Sequence, residues 1–238
     1  MITKRILITG ANSGIGRETA LLLAEDHFEL VLIARDEERL REVAEECRSR
    51  GAVRTDIIAV ELGPSRNSAE VVEEAVSDSP TSPLVLVSCA GVAEFGPYAE
   101  MEWSAIEGSM ATNLGVPLRM CHAILPHMLA RGGGQIINVL SIAATTAFPG
   151  GAAYCSAKAG LHMFGRAIAA DYRKQGIRVT SILPGSTDTP LWDKLNFSPE
   201  KSDMMQPRAV AEVIRDVVLS PPDRNLDEIV VMPPKGFL

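Results

Sequence analysis

Short, nearly unbroken apolar runs alternate with helical patterns along the whole chain, and nothing else restricts the fold as much. Arg5–Thr9, Glu29–Ala34, Thr55–Val60, Leu84–Ser88, Gln135–Leu140, Arg178–Leu183 and Glu228–Met232 read as seven strands. Runs this short and this apolar suit strands buried on both faces. Between them helices are expected over residues 14–25, 37–50, 69–77, 152–175 and 207–220. A further helical stretch covers 102–131, where Pro117 and Pro126 would break or kink it. Asp36 suits an N-cap, Glu37 and Glu38 suit the first turn, and Gly51 and Gly176 suit helix ends. Such alternation implies an α/β protein with a doubly wound parallel sheet covered by helices on both sides. No repeat, low-complexity tract or linker divides it, so a single domain over residues 1–238 is expected.

Of the 238 residues 46% are hydrophobic but only 5% aromatic, so the core must be built from aliphatic side chains and alanine. The net charge of −7 speaks against nucleic acid or an anionic membrane as partner. No apolar run approaches the ~20 residues of a membrane span. The start has no signal-peptide layout, and a cytoplasmic location is expected. Cys47, Cys89, Cys121 and Cys155 match no metal or redox spacing and are expected to be reduced thiols. The four histidines likewise lack ligand spacing, so no metal site is expected. Residues 187–206 are the loosest stretch, with Leu191, Trp192 and Phe197 among polar neighbours. Two readings stay open: a cover over a substrate, or a surface excursion anchored by a few apolar side chains.

Directly after the first strand comes Thr9-Gly-Ala-Asn-Ser-Gly-Ile-Gly16, opening the first helix. Glycines at such a place allow a tight turn, a close approach to a pyrophosphate and close helix–strand packing. The helix N-terminus then offers unpaired N–H groups to phosphates. This is the dinucleotide-binding turn of a Rossmann fold, spaced Gly10-x-x-x-Gly14-x-Gly16.

Tyr154 and Lys158 lie one helical turn apart, on one face. A free tyrosine, with a pKa of ~10, is a poor base near neutrality. A neighbouring ammonium favours the phenolate and is expected to lower that value. Tyr154 would then give a proton to a carbonyl oxygen in reduction and take one from an alcohol in oxidation.

The glycine turn, Asn113, Ser141, Tyr154-x-x-x-Lys158 and Pro184-Gly185 stand in one order and spacing, and in these the chain resembles the short-chain dehydrogenase/reductase family over essentially its whole length. The resemblance implies a catalytic set of Asn113, Ser141, Tyr154 and Lys158. Ser141 would hydrogen-bond the reacting oxygen. Lys158 would also hold the nicotinamide ribose, and Asn113 would support Lys158 through a water. The nucleotide would lie against Gly10, Asn12, Ser13, Gly14, Ile15 and Gly16, then Arg35, Glu61 and Leu62, and Cys89, Ala90 and Gly91. Tyr154, Lys158, Pro184, Gly185, Thr187 and Thr189 would complete its site. A homo-dimer or homo-tetramer is implied as well.

At the end of the second strand, an acidic residue would favour a free ribose 2′-hydroxyl. Ala34 stands there, followed by Arg35, which in the family signals NADP(H) over NAD(H). A charge-assisted contact to a 2′-phosphate is worth ~1.5–3 kcal/mol. The alternative leaves Arg35 solvated while Asp36 turns back to the ribose. Two departures stand out. Glu61 occupies the place of the family's usual Asp at the adenine. Ser88-Cys89 replaces Asn-Asn, which removes amides that would brace the end of the fourth strand. The expected activity is NADP(H)-dependent hydride transfer to a ketone or aldehyde, or from a secondary alcohol. The alternative is a catalytically silent NADP-binding sensor. Leu191-Trp192 after Thr189-Pro190 is weakly similar to sepiapterin-type reductases.

Overall fold

The computed structural model describes residues 3–62, 68–79, 81–195 and 198–236. Seven strands form one parallel sheet: β1 (Arg5–Thr9), β2 (Glu29–Ala34), β3 (Arg54–Ala59), β4 (Leu84–Ser88), β5 (Gly134–Val139), β6 (Ile177–Pro184) and β7 (Glu228–Val231). Their order is β3-β2-β1-β4-β5-β6-β7. The helices are α1 (Gly14–Glu25), α2 (Glu37–Ser49), α3 (Ser68–Val76), α4 (Trp103–Met110), α5 (Val116–Ala130), α6 (Ala152–Tyr172) and α7 (Pro207–Leu219).

The apolar strands have no solvent face because each face carries its own core. Ile6 and Ile8 of β1 pack with residues of α1, α2 and α7, while Leu7 between them packs with α3 and α5. Alternate side chains of one strand thus enter different layers, which explains the unbroken hydrophobic runs. Asp36 caps α2 as expected, accepting from Arg39 N at 3.1 Å. Gly176, at φ 82°, takes the left-handed position that ends the α6 segment.

The stretch over 102–131 divides, though not at its prolines. A single π turn, Ala111–Gly115, separates α4 from α5. Pro117 sits in the first turn of α5, where its missing N–H is harmless. Pro126 lies inside α5 on its exposed side without ending the helix.

At the N-terminal end of the sheet, Arg5 is 1% exposed. Its guanidinium donates to Glu29 of β2 (3.1 Å), to Asp56 of β3 (2.8 Å) and to the Ala75 carbonyl. That clamp fixes one end of β1–β3 and leaves the other end to the glycine turn. The strand order reverses between β1 and β4, so their C-terminal ends open a crevice, the usual ligand position in such sheets.

Candidate active site

Two adjoining cavities occupy that crevice. The first, about 440 Å³, runs over the glycine turn from the end of β2 to α6. Gly10 closes the turn on β2, donating to Ile33 O at 2.8 Å. Its φ is +68°, and a Cβ there would stand 2.9 Å from Ala90 N. A Cβ on Gly16 would stand 2.3 Å from Gly10 O. Any side chain at either position meets backbone, so the turn itself would have to shift to admit it. Ser13 precedes α1 but its side chain makes no cap, so the first N–H groups of the helix face the cleft without a side-chain acceptor. An anionic pyrophosphate fits this arrangement.

Thr9 supplies a brace that sequence reasoning assigned no part. Its Oγ1 accepts from both Cys89 N and Ala90 N, at 3.2 Å each, and ties the end of β4 to β1. The support expected to vanish with Ser88-Cys89 is thus carried by Thr9 through the backbone. Ser88 Oγ itself is buried without a hydrogen-bond partner, as is Nδ2 of Asn138, its register partner on β5. Burial pushes the Cys89 thiol up to about 12.

At the outer end, Arg35 and Arg39 both line the cleft. Arg35 pairs loosely with Glu61 at 3.5 Å, both side chains being largely exposed. Glu61, expected at the adenine, lies on this rim as the partner of Arg35; Leu62 lines the same wall. Asp36 is engaged by α2, capping it and pairing with Arg39 at 3.4 Å. It therefore faces the helix, which removes the ground for its turning back to a ribose.

Asn113 lies in the π turn, 1% exposed. Its Nδ2 donates to Val92 O (2.8 Å) and Ser109 O (3.0 Å), and its Oδ1 accepts from Val92 N (3.2 Å). The residue pins the loop after β4, and the local widening of the helix aims its amide there.

Tyr154 and Lys158 project from α6 into the cleft, both buried. Lys158 Nζ stands 5.7 Å from the centre of the Tyr154 ring and donates to Val139 O at 3.0 Å. Ser141 begins the short turn after β5, and its Oγ accepts from Ala143 N at 3.1 Å. The ring of Phe95 lies 5.7 Å from that of Tyr154, tilted by 43°.

The expected acidification of Tyr154 is not present. Burial pushes its pKa up to about 12, the Ser141 hydroxyl opposing only in part. Burial likewise holds Lys158 down to about 8. Desolvation disfavours both charged forms and is the largest cause of each shift. Tyr154 consequently keeps its proton at neutral pH while Lys158 is mostly charged.

The second cavity, about 570 Å³, opens beyond Tyr154. Pro184, Gly185 and Thr187, expected to complete the nucleotide's site, line this second cavity and not the nucleotide cleft, because the end of β6 opens beyond Tyr154; Ser141 lines it too, and Thr189 lines both. Leu191 and Trp192 of the loose stretch form part of its wall, and Phe197 lies outside the described residues.

A family model described as short chain dehydrogenase matches residues 4–199. The chain belongs to that family. An uncharacterized oxidoreductase of Staphylococcus saprophyticus is 31% identical over 230 residues, 97% of each chain. A sepiapterin reductase of Chlorobaculum tepidum is also 31% identical, covering 97% of this chain and 96% of its own. Among solved structures, an actinorhodin polyketide ketoreductase with NADPH superposes with a TM-score of 0.87 at 27% identity, over 97% of this chain and 96% of that one.

This short chain dehydrogenase is therefore an oxidoreductase acting on small molecules, on one parallel sheet of the Rossmann type. No helix among its described residues is long and apolar enough to cross a membrane. Besides Thr9, sequence reasoning missed Arg39, Phe95 and Phe148. Arg39 was legible as a second cation four residues beyond Arg35, in the first turn of the helix that Asp36 caps. The two phenylalanines carried no local signal, because loops far apart in the chain bring them together.

Proposed function

We propose that the protein is an NADP(H)-dependent carbonyl reductase or alcohol dehydrogenase in which Tyr154 moves the proton. The carrying observation is the join between the cavities: Tyr154 lines both the cleft suited to a dinucleotide and the apolar chamber beyond it, where Ser141 lines the wall with it.

NADP(H), when bound, supplies or accepts the hydride. The chain's own groups do the rest. The turn Gly10–Gly16 and the uncapped start of α1 receive the pyrophosphate. Arg35 and Arg39 flank the place of a 2′-phosphate, and Ala34 presents no carboxylate against it. Asn12, Ser13, Ile15, Leu62, Cys89, Ala90 and Gly91 wall the cleft between them. Gly91 leaves the space that Lys158 Nζ and Asn113 Oδ1 approach, 3.8 and 3.0 Å from where its Cβ would stand.

In reduction the carbonyl oxygen sits between Ser141 and Tyr154. The raised pKa of Tyr154 ensures that it arrives protonated, as a proton donor must. As charge develops on the oxygen, the Ser141 hydroxyl stabilises it and Tyr154 releases its proton. Lys158 offers a positive charge to the phenolate that remains, anchored through Val139 O. A positive nicotinamide would act in the same direction, so the drop in the Tyr154 pKa belongs to the loaded site. Asn113 is a positioning residue that holds the loop at Val92.

The NADPH-complexed ketoreductase neighbour supports this choice of nucleotide. We further infer a cytoplasmic homo-oligomer, on the family likeness alone. The test is NADPH consumption against a carbonyl panel with Tyr154→Phe as control. The variant should bind NADPH normally and lose about 10²–10⁴-fold in kcat. Turnover equal to wild type would remove Tyr154 from the chemistry. NADPH binding without turnover on any carbonyl would favour the silent sensor.

A further inference from the structure

Beyond Tyr154 the second cavity is walled by Phe95, Ile142, Phe148, Leu191, Trp192 and Leu195. Among its described lining residues only Tyr154 is titratable, and none is Asp, Glu, Lys, Arg or His. Its other polar groups are largely turned to the backbone. Thr187 donates its hydroxyl to Gly185 O (3.0 Å), Ser198 to Pro199 O (2.9 Å), and Trp192 its indole N–H to Thr187 O (2.9 Å). The hydroxyls left to face a ligand are those of Ser141 and Tyr154 at the inner end, with Ser186 and Thr189 beside them. The nucleotide cleft alongside is built oppositely, with Arg35 and Arg39 on its wall.

We infer that the substrate is an uncharged ketone or aldehyde carrying a hydrophobic body of one or two rings, or equivalent aliphatic bulk. The inference rests on the oxidoreductase reading above and adds the substrate class to it. A volume of about 570 Å³ lies well within the range of sites for drug-sized ligands, and exceeds what a four-carbon ketone fills. A carboxylate or phosphate on that body would meet no cation among the described lining residues. A pteridine ketone meets the same difficulty in milder form, since its ring amide and amine would go unpaired against phenylalanine and leucine.

The experiment compares benzylacetone with its para-carboxylated analogue, using wild-type protein and NADPH. The expected kcat/KM is lower for the carboxylated compound by about a hundredfold or more. Phe148→Arg brings a guanidinium to the cavity and should narrow that ratio at least about tenfold; Leu195→Arg is the second variant should the first fail to fold. Binding of both compounds to NADPH-loaded Tyr154→Phe is followed by calorimetry, which reads the cavity without turnover. Neutral preference in kinetics and binding together supports the assignment. Equal or reversed preference in binding overturns the substrate class, whatever the turnover. A ratio unchanged in the arginine variants overturns it too, because the ligand body then lies elsewhere. Clear neutral preference in binding with no turnover of either compound would sustain the cavity's chemistry while sinking the oxidoreductase reading, so the two failures are distinct.

Discussion

Lys158→Met removes a buried ammonium while keeping an unbranched stem, and two opposed effects set its consequence for the nucleotide-free protein. Burial lowers the Lys158 pKa from 10.5 to about 8. At ~1.4 kcal/mol per pKa unit, the buried charge weakens the fold by about 3 kcal/mol. The folded value lies below the unfolded one, so between about pH 8 and 10.5 the unfolded chain holds the extra proton. Stability therefore rises with pH across that window, and the penalty is fully present below it. Against this, Lys158 donates to Val139 O at 3.0 Å. Methionine leaves that carbonyl unpaired, a loss of ~1–3 kcal/mol at every pH. Near pH 7 the variant should be about as stable as wild type or slightly more so. Going from pH 7 to pH 9.5, wild type should gain about 2 kcal/mol on the variant. Denaturant unfolding of both proteins at the two pH values measures it. The thiols of Cys47, Cys89 and Cys121, each pushed up to about 12 by burial, are present in both proteins and largely cancel. A wild-type minus variant difference unchanged between the two pH values would refute the claim that burial governs Lys158.

Arg35→Ala with Arg39→Ala should lower kcat/KM for NADPH by about ten- to a hundredfold, with little change for NADH, in a comparison of the two nucleotides under one assay. Asn113→Ala strips Val92 of both side-chain hydrogen bonds and should reduce stability by about 2–4 kcal/mol in denaturant unfolding, lowering activity with it. In Gly16→Ala the new methyl meets Gly10 O, so the turn must shift. An expected loss of ~1–3 kcal/mol in stability, together with weaker NADPH binding by fluorescence titration, checks that packing.

Much of the fold was legible because its signals are local. Strand and helix spans differ from expectation by a residue or so at most ends, and Asp36 and Gly176 act as their residue types suggest. The helix break was misplaced because proline is a local rule. The actual interruption, the π turn at Ala111–Gly115, places Asn113 against Val92, a residue of the loop after β4. Of the site, the glycines and the Tyr154–Lys158 pair were legible for the same reason of short spacing. The brace by Thr9 was not, since a hydroxyl in a strand says nothing about which amides it will meet 80 residues away.

The sequence by itself determined the βα alternation, the glycine turn and the pairing of Tyr154 with Lys158 on one helix face, all properties of neighbours along the chain. Tertiary structure alone decided that Tyr154 holds its proton more tightly than free tyrosine and Lys158 less tightly than free lysine. It also decided that the chamber beyond them is apolar. Both outcomes depend on how much water is displaced around a group, and that is set by which distant segments close over it.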